Sequence, residues 1–425
     1  MSDLNEKNIE QSKEIPQELP PIAVRMQRNM TALSLHEPDR VPFMPSMNNF
    51  YAMHYGVSIQ ESMTDARSLI VPLKKFCEDY DPDWVWNPVS FPIKPMETIG
   101  HKQARWPGAY WNLPENTPYQ YVDHSYLSED DWEEYFSDPT LFITHKVLPN
   151  KYENLKGLQF INPFAMCGHA ILSFAQFANP MVKDSLRTLL QVADEVDEYM
   201  QGGIALTMSV IENGYPVYGS APACVPFDDF ADNIRGLMEL CMDIITDPDE
   251  VDEALEKLGE ITIPAAIATC KMSHCDTLFM PLHCGVDNFM SLENYEKHYW
   301  PGMKKMMLAA IDAGITPVVF CEGKYDTRLE CITDIPKGKI LYCFESVDWK
   351  EAKRIVGPYA AIGGGMNTHT LMNGSPEDVE EEVKRNLDIL APGGGFFMSN
   401  SIALDEVSPE NMHAWRNALE KYGKY

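Results

Sequence analysis

The feature that most constrains the fold is a regular alternation of apolar strands and amphipathic helices after about residue 225. Parallel strands need long crossover connections, usually helices, so this alternation predicts βα units rather than antiparallel hairpins. The predicted strands are 275–283, 316–323, 339–346, 360–367 and 394–401. The predicted helices are 230–245, 248–272, 292–314, a short one at 326–334, 349–356, 375–390 and 408–422. Together these units amount to about half of an eight-stranded barrel.

The N-terminal half has candidates for the remaining strands at 40–47, 83–89 and 216–223, with helices at 22–35 and 182–213. Between 90 and 165 the chain is rich in Pro, Trp, Tyr and Asp, which indicates a long insertion over one barrel end. We therefore predict an α/β fold, a (β/α)8 TIM barrel with a long insertion in its N-terminal half forming a lid. The barrel would be a single domain over 22–425, after a disordered tail at 1–21. A doubly wound open sheet is the structural rival, but no GxGxxG follows the first strand.

The charge balance excludes two classes of partner. Acidic residues outnumber basic ones 63 to 34, for a formal net charge of -29. Such a surface repels phosphate backbones and anionic membranes, so we expect no nucleic-acid or membrane partner. Residues 1–21 have neither a basic leader nor an apolar core, and the ten cysteines are scattered singly without a CxxC pair. We therefore expect a cytoplasmic protein.

Three strand ends carry unusual residues. His283, Glu322 and Glu345 each follow an apolar run directly, at the barrel end where catalytic groups lie. An imidazole and two carboxylates suit zinc or a similar divalent ion, so we predict all three as catalytic residues and as metal ligands. The alternative is structural: a strand-end His is often only hydrogen-bonded, and a Glu could pair with Arg328.

Cysteines at the same strand ends offer a competing ligand set. Cys284, Cys321 and Cys343 could bind zinc as thiolates. Alternation along a strand puts Cys343 and Glu345 on one face, whereas Cys321 and Glu322 face oppositely, so only one set can point inward. We favour the carboxylates because free cysteine usually fills core space.

Other polar or adaptable residues lie near the predicted strand ends. Glu330 could be a further metal ligand, a residue that hydrogen-bonds to a ligand and orients it, or simply a solvated helix residue. Asp287 could orient His283 or cap the next helix, the commoner role. The candidate substrate-binding residues are Met44, Asp287, Asn367, His369 and Asn400. Tryptophans and tyrosines in and near the insertion would suit a flat aromatic substrate.

Several motifs together resemble one known family. They are RVPFMP (40–45), GHKQARWPG (100–108), MPLHCGVDNFMS (280–291), CEGKYDTRLE (321–330), IPKGK (335–339) and LAPGGGFFMSNS (390–401). The chain resembles the uroporphyrinogen decarboxylase superfamily, in particular its corrinoid-dependent methyltransferase branch and the methyltransferase I component of O-demethylases. True decarboxylases carry an Arg-rich N-terminal motif that this sequence lacks.

The resemblance implies a metal and a partner. A member of this branch uses zinc to polarise a methyl donor, here a methyl ether such as a methoxylated aromatic. Cobalt(I) of cobalamin, carried by a separate corrinoid protein, then takes the methyl group. The family histidine falls on His283, and the two O-demethylase glutamates fall on Glu330 and Glu345. The third ligand of that pattern would fall on Met366, which leaves His283, Glu322 and His369 as possible substitutes.

Alternatives remain open at this point. The chain could transfer methyl from a corrinoid to tetrahydrofolate, or act as a decarboxylase-like lyase with Glu322 and Glu345 as general acid and base. A non-enzymatic carrier of a corrinoid or tetrapyrrole is a third class. The sequence is also compatible with a homodimer.

Overall fold

The computed structural model describes residues 19–88, 91–168, 171–400 and 403–425. Most of the predicted tail at 1–21 therefore lies outside the described residues. The α-helices are Pro21–Leu33, Phe50–His54, Ile59–Thr64, Ile70–Tyr80, Ile93–Ile99, Trp132–Ser137, Pro139–Phe142, Leu148–Lys151, Pro180–Glu212, Pro226–Phe230, Leu237–Thr246, Pro248–Met272, Leu292–Asn294, Trp300–Asp312, Trp349–Ile355, Thr368–Asn373, Pro376–Leu390 and Pro409–Tyr422. In the described ranges, none of these helices has the length and apolarity needed to span a bilayer.

The C-terminal half forms a parallel sheet of five strands. They are β5 (Thr277–Leu282), β6 (Thr316–Lys324), β7 (Leu341–Ser346), β8 (Ala361–Met366) and β9 (Phe396–Asn400), paired in chain order. Helices connect successive strands except between β6 and β7, where two 3-10 turns, Asp326–Arg328 and Cys331–Thr333, replace the short predicted helix. The predicted βα succession is confirmed in this half.

The predicted N-terminal strands are shorter than expected. β1 (Val85–Trp86) pairs in parallel with β4 (Val217–Tyr218), and residues 40–47 form only isolated bridges. Prolines at 42, 45, 216 and 222 explain this, because proline cannot donate a ladder hydrogen bond.

Backbone hydrogen bonds still connect these segments to the sheet. Phe43 bridges in parallel to Met398 of β9, and Pro222 bridges in parallel to Phe279 of β5. The Asp83 amide donates to the Phe43 carbonyl at 2.7 Å, which brings the first segment beside the chain entering β1. The described chain is thus an α/β fold of parallel strands and many helices.

Two apolar clusters lie on opposite faces of the strands. The larger one packs the helices against the sheet and contains Leu278, Met280, Val319 and Cys321. The smaller one takes alternate residues of the same strands; its members include Met44, Trp84, Tyr218, Phe279, Val318, Phe320, Leu341, Cys343, Ala361 and Phe397. Alternation along each strand therefore assigns one face to the helices and the other to this inner cluster.

The predicted helix at 230–245 is broken. A π-helix, Ala231–Arg235, ends at Gly236, whose φ is 86°, and the α-helix Leu237–Thr246 begins after it. The predicted helix at 292–314 also starts with a π-helix, Tyr295–Tyr299. Single π-turns often occur near functional sites because they redirect side chains.

The predicted insertion has little regular structure. β2 (Ala104–Arg105) and β3 (Gln120–Tyr121) form an antiparallel pair, and short helices surround them. Trp106 is fully buried in a separate apolar cluster with Ile93 and Met96. This segment therefore has a small core of its own.

Candidate functional site

His283, Glu322 and Glu345 lie at the carboxyl ends of three neighbouring strands. His283 directly follows β5, while Glu322 and Glu345 are near the ends of β6 and β7. The His283 Nε2 atom is 3.9 Å from Glu322 Oε1. The backbone amide of Gly323 donates to Glu345 Oε2, which places Glu345 beside the end of β6. The structure thus brings the three predicted residues to one edge.

Two aspartates that the sequence analysis missed hold His283 in place. Asp232 Oδ2 is 3.0 Å from the His283 Nδ1 atom. The fully buried Asp228 accepts hydrogen bonds from the backbone amides of His283 and Cys284, at 2.9 and 3.1 Å, and from the Tyr299 hydroxyl at 2.8 Å. One aspartate thus orients the ring and the other fixes the backbone that carries it.

The run Asp228, Asp229 and Asp232 was the available signal for this pair. Acidic residues four positions apart share a face of a helical turn. Both aspartates belong to the helical segment that ends in the π-helix Ala231–Arg235, well before β5 in the chain. Only the folded chain brings that segment against the end of β5.

The carboxylates and the imidazole perturb one another. Burial, opposed by the charge of His283 and assisted by those of Asp228 and Glu345, raises the pKa of Glu322 to about 7. Burial by itself lowers the pKa of His283, but the hydrogen bond to Asp232 and the charges of Asp228 and Glu322 outweigh it and raise that pKa to about 9. Burial, with Asp228 and Asp232, raises the pKa of Asp229 to about 7. Perturbed groups of this kind cluster at functional sites.

The side chains of His283 and Glu322 are of types that bind metal ions, and the histidine ring is oriented for such a role. Asp232 engages Nδ1 of His283 and leaves Nε2 directed to Glu322, the arrangement in which a carboxylate orients a metal-binding histidine. The fit in number is incomplete: within the described ranges, no group of three or more His, Cys, Asp or Glu side chains is close enough to hold an ion. His283 and Glu322 are thus a matched pair of donors, with Glu345 at the neighbouring strand end.

The remaining metal candidates lie elsewhere. The Glu330 side chain is 78% exposed and 3.9 Å from an Arg354 nitrogen. Cys284 and Cys321 lie in the helix-facing core, whereas Cys343 lies in the inner cluster, so the three thiols do not share a face. Burial raises the pKa of all three thiols, which disfavours thiolates. Arg328 pairs with neither strand-end glutamate; it donates to the carbonyls of Gly285, Val286 and Met290.

Two of the substrate-binding candidates are internal. Met44 is fully buried in the inner cluster. The Asn400 amide joins β9 to residues 40–47, because Oδ1 accepts from the Ser46 amide and Nδ2 donates to the Ser46 carbonyl, each at 2.7 Å. In this structure both residues contribute to the packing of the strands.

The other substrate-binding candidates lie at or near strand ends. Asn367 caps the helix Thr368–Asn373 and borders a cavity of about 130 Å³, which Glu345, Trp349 and Glu382 also line. His369 Nδ1 is 3.2 Å from the Asn373 side-chain amide. Asp287 neither caps the next helix nor contacts His283; it accepts from the amide and hydroxyl of Thr327.

Aromatic rings fill the inner cluster just before the site residues. Trp86 and Phe279 pack edge to face with ring centroids 4.4 Å apart, and Phe279 packs on Phe320 at 5.0 Å. Phe320 precedes Glu322 by two residues and Phe279 precedes His283 by four, so these rings share a strand face with the site. Trp86 is only half-buried.

Comparisons with known proteins agree with this architecture. The family model described as uroporphyrinogen decarboxylase (URO-D) matches residues 170–422. Among curated protein sequences there is no match. A methyltransferase from Methanosarcina mazei has a similar structure, with a TM-score of 0.61 and 14% identity over 95% of this chain and 99% of that one. At this identity the likeness supports the fold alone.

A second solved structure is much less similar. It is a B12-independent methionine synthase from Shewanella sp. W3-18-1 in complex with selenomethionine, with a TM-score of 0.31 and 10% identity. The match covers 51% of this chain and 65% of that one, and it carries no argument.

Proposed function

Because this chain belongs to the uroporphyrinogen decarboxylase family, we propose that it is a methyltransferase of that family. It would take the methyl group of a methyl ether, such as a methoxylated aromatic, and pass it to the cobalt(I) of a separate corrinoid protein. The observation that carries the proposal is the arrangement of His283 between two carboxylates. Asp232 is hydrogen-bonded to the Nδ1 atom of His283, which leaves the Nε2 atom facing Glu322. The fold shared with the Methanosarcina mazei methyltransferase supports it.

The same proposal extends to the architecture. Residues 40–47, β1, β4 with residues up to 223, and β5 to β9 would form the eight strands of a closed (β/α)8 barrel. The bridges Phe43–Met398 and Pro222–Phe279 support closure at both ends of the five-stranded sheet. The insertion at about 90–165 would be a lid, since Gln103 and Tyr121 donate hydrogen bonds to the backbone of Asp232 beside the site.

His283 and Glu322 would hold a zinc ion, with Glu345 at the neighbouring strand end as a further candidate ligand. Bound there, zinc would supply Lewis-acid chemistry that makes the ether oxygen a better leaving group. The chain's own residues do the rest. Asp232 keeps the imidazole in one orientation, Asp228 fixes the end of β5, and the half-buried Trp86 offers an aromatic surface for the substrate.

A purified corrinoid partner makes this testable. With the partner reduced to cobalt(I), zinc-loaded protein and a methoxylated aromatic should produce the absorbance of methylcobalt. His283→Gln and Glu322→Gln should each reduce the rate by roughly 10²-fold or more and lower bound zinc, measured by mass spectrometry. Glu330→Gln is the matched control, because that exposed side chain should leave both unchanged.

Two results would overturn this proposal. If the purified protein binds no divalent metal and gains no activity from added zinc, the metal assignment fails. If Glu330→Gln abolishes zinc binding while Glu322→Gln does not, the ligand set is wrong.

One observation favours a second candidate, a decarboxylase-like lyase. Burial raises the pKa of Glu322 to about 7, so this carboxyl could donate a proton near neutral pH while Glu345 accepts one. Turnover that resists chelators and needs no corrinoid partner would support the lyase. Methyl transfer from methylcobalt to tetrahydrofolate, without ether cleavage, would instead indicate the reverse type of methyltransferase.

A further inference from the structure

The insertion reaches the candidate site through one backbone carbonyl. Gln103 Nε2 donates to the Asp232 carbonyl oxygen at 2.6 Å, and the Tyr121 hydroxyl donates to the same oxygen at 2.8 Å. Gln103 Nε2 is also 2.9 Å from the Tyr121 hydroxyl. Gln103, which directly precedes β2, and Tyr121 of β3 therefore both contact Asp232, the residue that orients His283.

The break at Gly236 explains why this carbonyl is available. In a continuing helix, the Asp232 carbonyl would accept from the amide of residue 236 or 237. Here the Gly236 amide donates to Ala231, and the Leu237 amide donates to the Asp123 side chain. The Asp232 carbonyl is thus a helix-end acceptor without a helical partner, and such groups need a donor from elsewhere in the protein.

The rest of the π-helix is held by the same insertion. The buried Lys151 donates to the Asn233 side chain at 2.8 Å, the Tyr126 amide donates to the Ile234 carbonyl at 2.8 Å, and Arg235 donates to the Leu127 carbonyl at 2.6 Å. Hydrogen bonds with the insertion therefore fix four consecutive residues, 232–235. The position of Asp232 depends on segments more than 80 residues earlier in the chain.

Gln103 does not satisfy all of its own hydrogen-bonding groups. It is 2% exposed, and its Oε1 atom is buried without a hydrogen-bond partner among the described residues. A buried acceptor without a partner lowers the free energy of unfolding. An apolar residue of similar size would avoid that loss, so the contact of Nε2 with Asp232 favours a role beyond packing.

We propose that Gln103 and Tyr121 are positioning residues that act through Asp232 on His283. They fix the Asp232 backbone, Asp232 fixes the His283 ring, and the insertion thereby sets the direction of the Nε2 atom. This inference rests on the proposed function insofar as His283 is a metal ligand. Its structural part concerns only the Asp232–His283 hydrogen bond and holds without any metal.

The first experiment reads that hydrogen bond in the metal-free protein. With ¹⁵N-labelled histidine, the proton shared by His283 and Asp232 should give a downfield imidazole N–H signal, assigned by its loss in His283→Gln. Asp232→Ala should remove the signal, and Gln103→Leu and Tyr121→Phe should broaden or remove it. Tyr110→Phe is the matched control, since Tyr110 belongs to the same insertion, is 47% exposed and stacks on Trp106.

The second experiment measures zinc affinity by competition with a chromophoric chelator. Gln103→Leu and Tyr121→Phe should each weaken zinc binding, raising the Kd about tenfold, as loss of a residue that orients a ligand does. Tyr110→Phe should leave the Kd within about twofold. Adding Gln103→Leu to Asp232→Ala should cause no further weakening, because both act through one pathway. Thermal unfolding should show that Gln103→Leu is no less stable than the natural protein.

The outcomes separate the two proposals. If Tyr121→Phe and Gln103→Leu retain both the proton signal and the zinc affinity, the positioning role is wrong. Additive weakening in the Asp232→Ala background would also overturn it. If the natural protein binds no zinc while the signal still responds to both variants, the positioning role stands and the proposed metal function fails.

Discussion

At the scale of single residues, the site depends on aspartates with different tasks. Asp228 is fully buried and accepts hydrogen bonds from two backbone amides and a tyrosine hydroxyl. Asp229, the next residue, has a side-chain hydrogen bond of 3.4 Å from Asn233. Because Asp228 and Asp232 lie nearby, Asp229 must carry its charge in a buried, already acidic region. We therefore expect Asp229 to make stability depend on pH.

The prediction for Asp229 follows from the direction of its shift. Its folded pKa of about 7 is above the ordinary 3.8, so between these values the folded state binds more protons than the unfolded state. Stability should fall as pH rises through this window, and the penalty should be fully present above pH 7. Asp229→Asn cannot ionise. We therefore expect the difference in free energy of unfolding between Asp229→Asn and the natural protein, measured with urea, to depend on pH. It should favour the variant by on the order of 1 kcal/mol more at pH 8 than at pH 5.5.

The control for this experiment is Asp388→Asn, at an exposed position in the helix Pro376–Leu390. Its effect on stability should be small and nearly the same at both pH values. Should Asp229→Asn behave like this control, the carboxyl would have an ordinary pKa and would not share the burial and repulsion described for the site.

At the scale of elements, the glycine-rich turn before β9 requires glycine for two reasons, its backbone conformation and its close packing. Gly393, Gly394 and Gly395 all have positive φ, at 79°, 77° and 72°. The turn packs directly on the chain that leaves the first helix. A Cβ on Gly394 would lie 2.2 Å from the backbone carbon of His36, whereas a Cβ on Gly393 would meet nothing within 4 Å.

Alanine at these two neighbouring positions separates backbone strain from close packing. Gly393→Ala should cost about 1 kcal/mol, since only the left-handed backbone conformation opposes the new methyl group. Gly394→Ala adds a clash with backbone atoms that cannot rotate away, so it should cost about 3 kcal/mol or more. Urea unfolding of both variants measures the difference. Equal costs would mean that the turn does not pack on residues 36–37 in solution.

At the scale of the whole molecule, a buried ion-pair network ties the N-terminal segments together. Asp83 has no exposed surface and pairs with Arg28 of the first helix and Arg40 of the first bridged segment. It also accepts from the Phe43 amide at 2.8 Å. Phe43 in turn bridges to β9, so this network connects both ends of the chain.

Asp83→Asn should therefore destabilise the protein by about 3–5 kcal/mol, because it removes the fully buried carboxylate that Arg28 and the largely buried Arg40 share. The comparison is Asp39→Asn, because the Asp39 side chain is 34% exposed and forms its ion pair with Arg28. That variant should cost about 1 kcal/mol. Denaturation followed by tryptophan fluorescence would test both, and a small loss for Asp83→Asn would argue against the buried network.

The sequence by itself determined the C-terminal half of the fold. Alternating apolar runs and amphipathic helices identified β5 to β9 because each strand is buried on both faces and each helix on one, a pattern that is local in the chain. The same locality placed His283, Glu322 and Glu345 at one edge, since parallel strand ends meet there. In the N-terminal half, prolines reduced the predicted strands to short pairs and bridges that depend on distant partners.

Only the tertiary structure decided how the site is held. Nothing local to Asp228 or Asp232 shows that a π-helix will break at Gly236 and turn both carboxylates toward the end of β5. Nor does spacing show that Glu330 faces solvent beside Arg354, while Gln103 and Tyr121 reach Asp232. The contacts of Asp232 with His283, Gln103 and Tyr121 join residues 51 to 129 positions apart, and they arise from packing rather than periodicity.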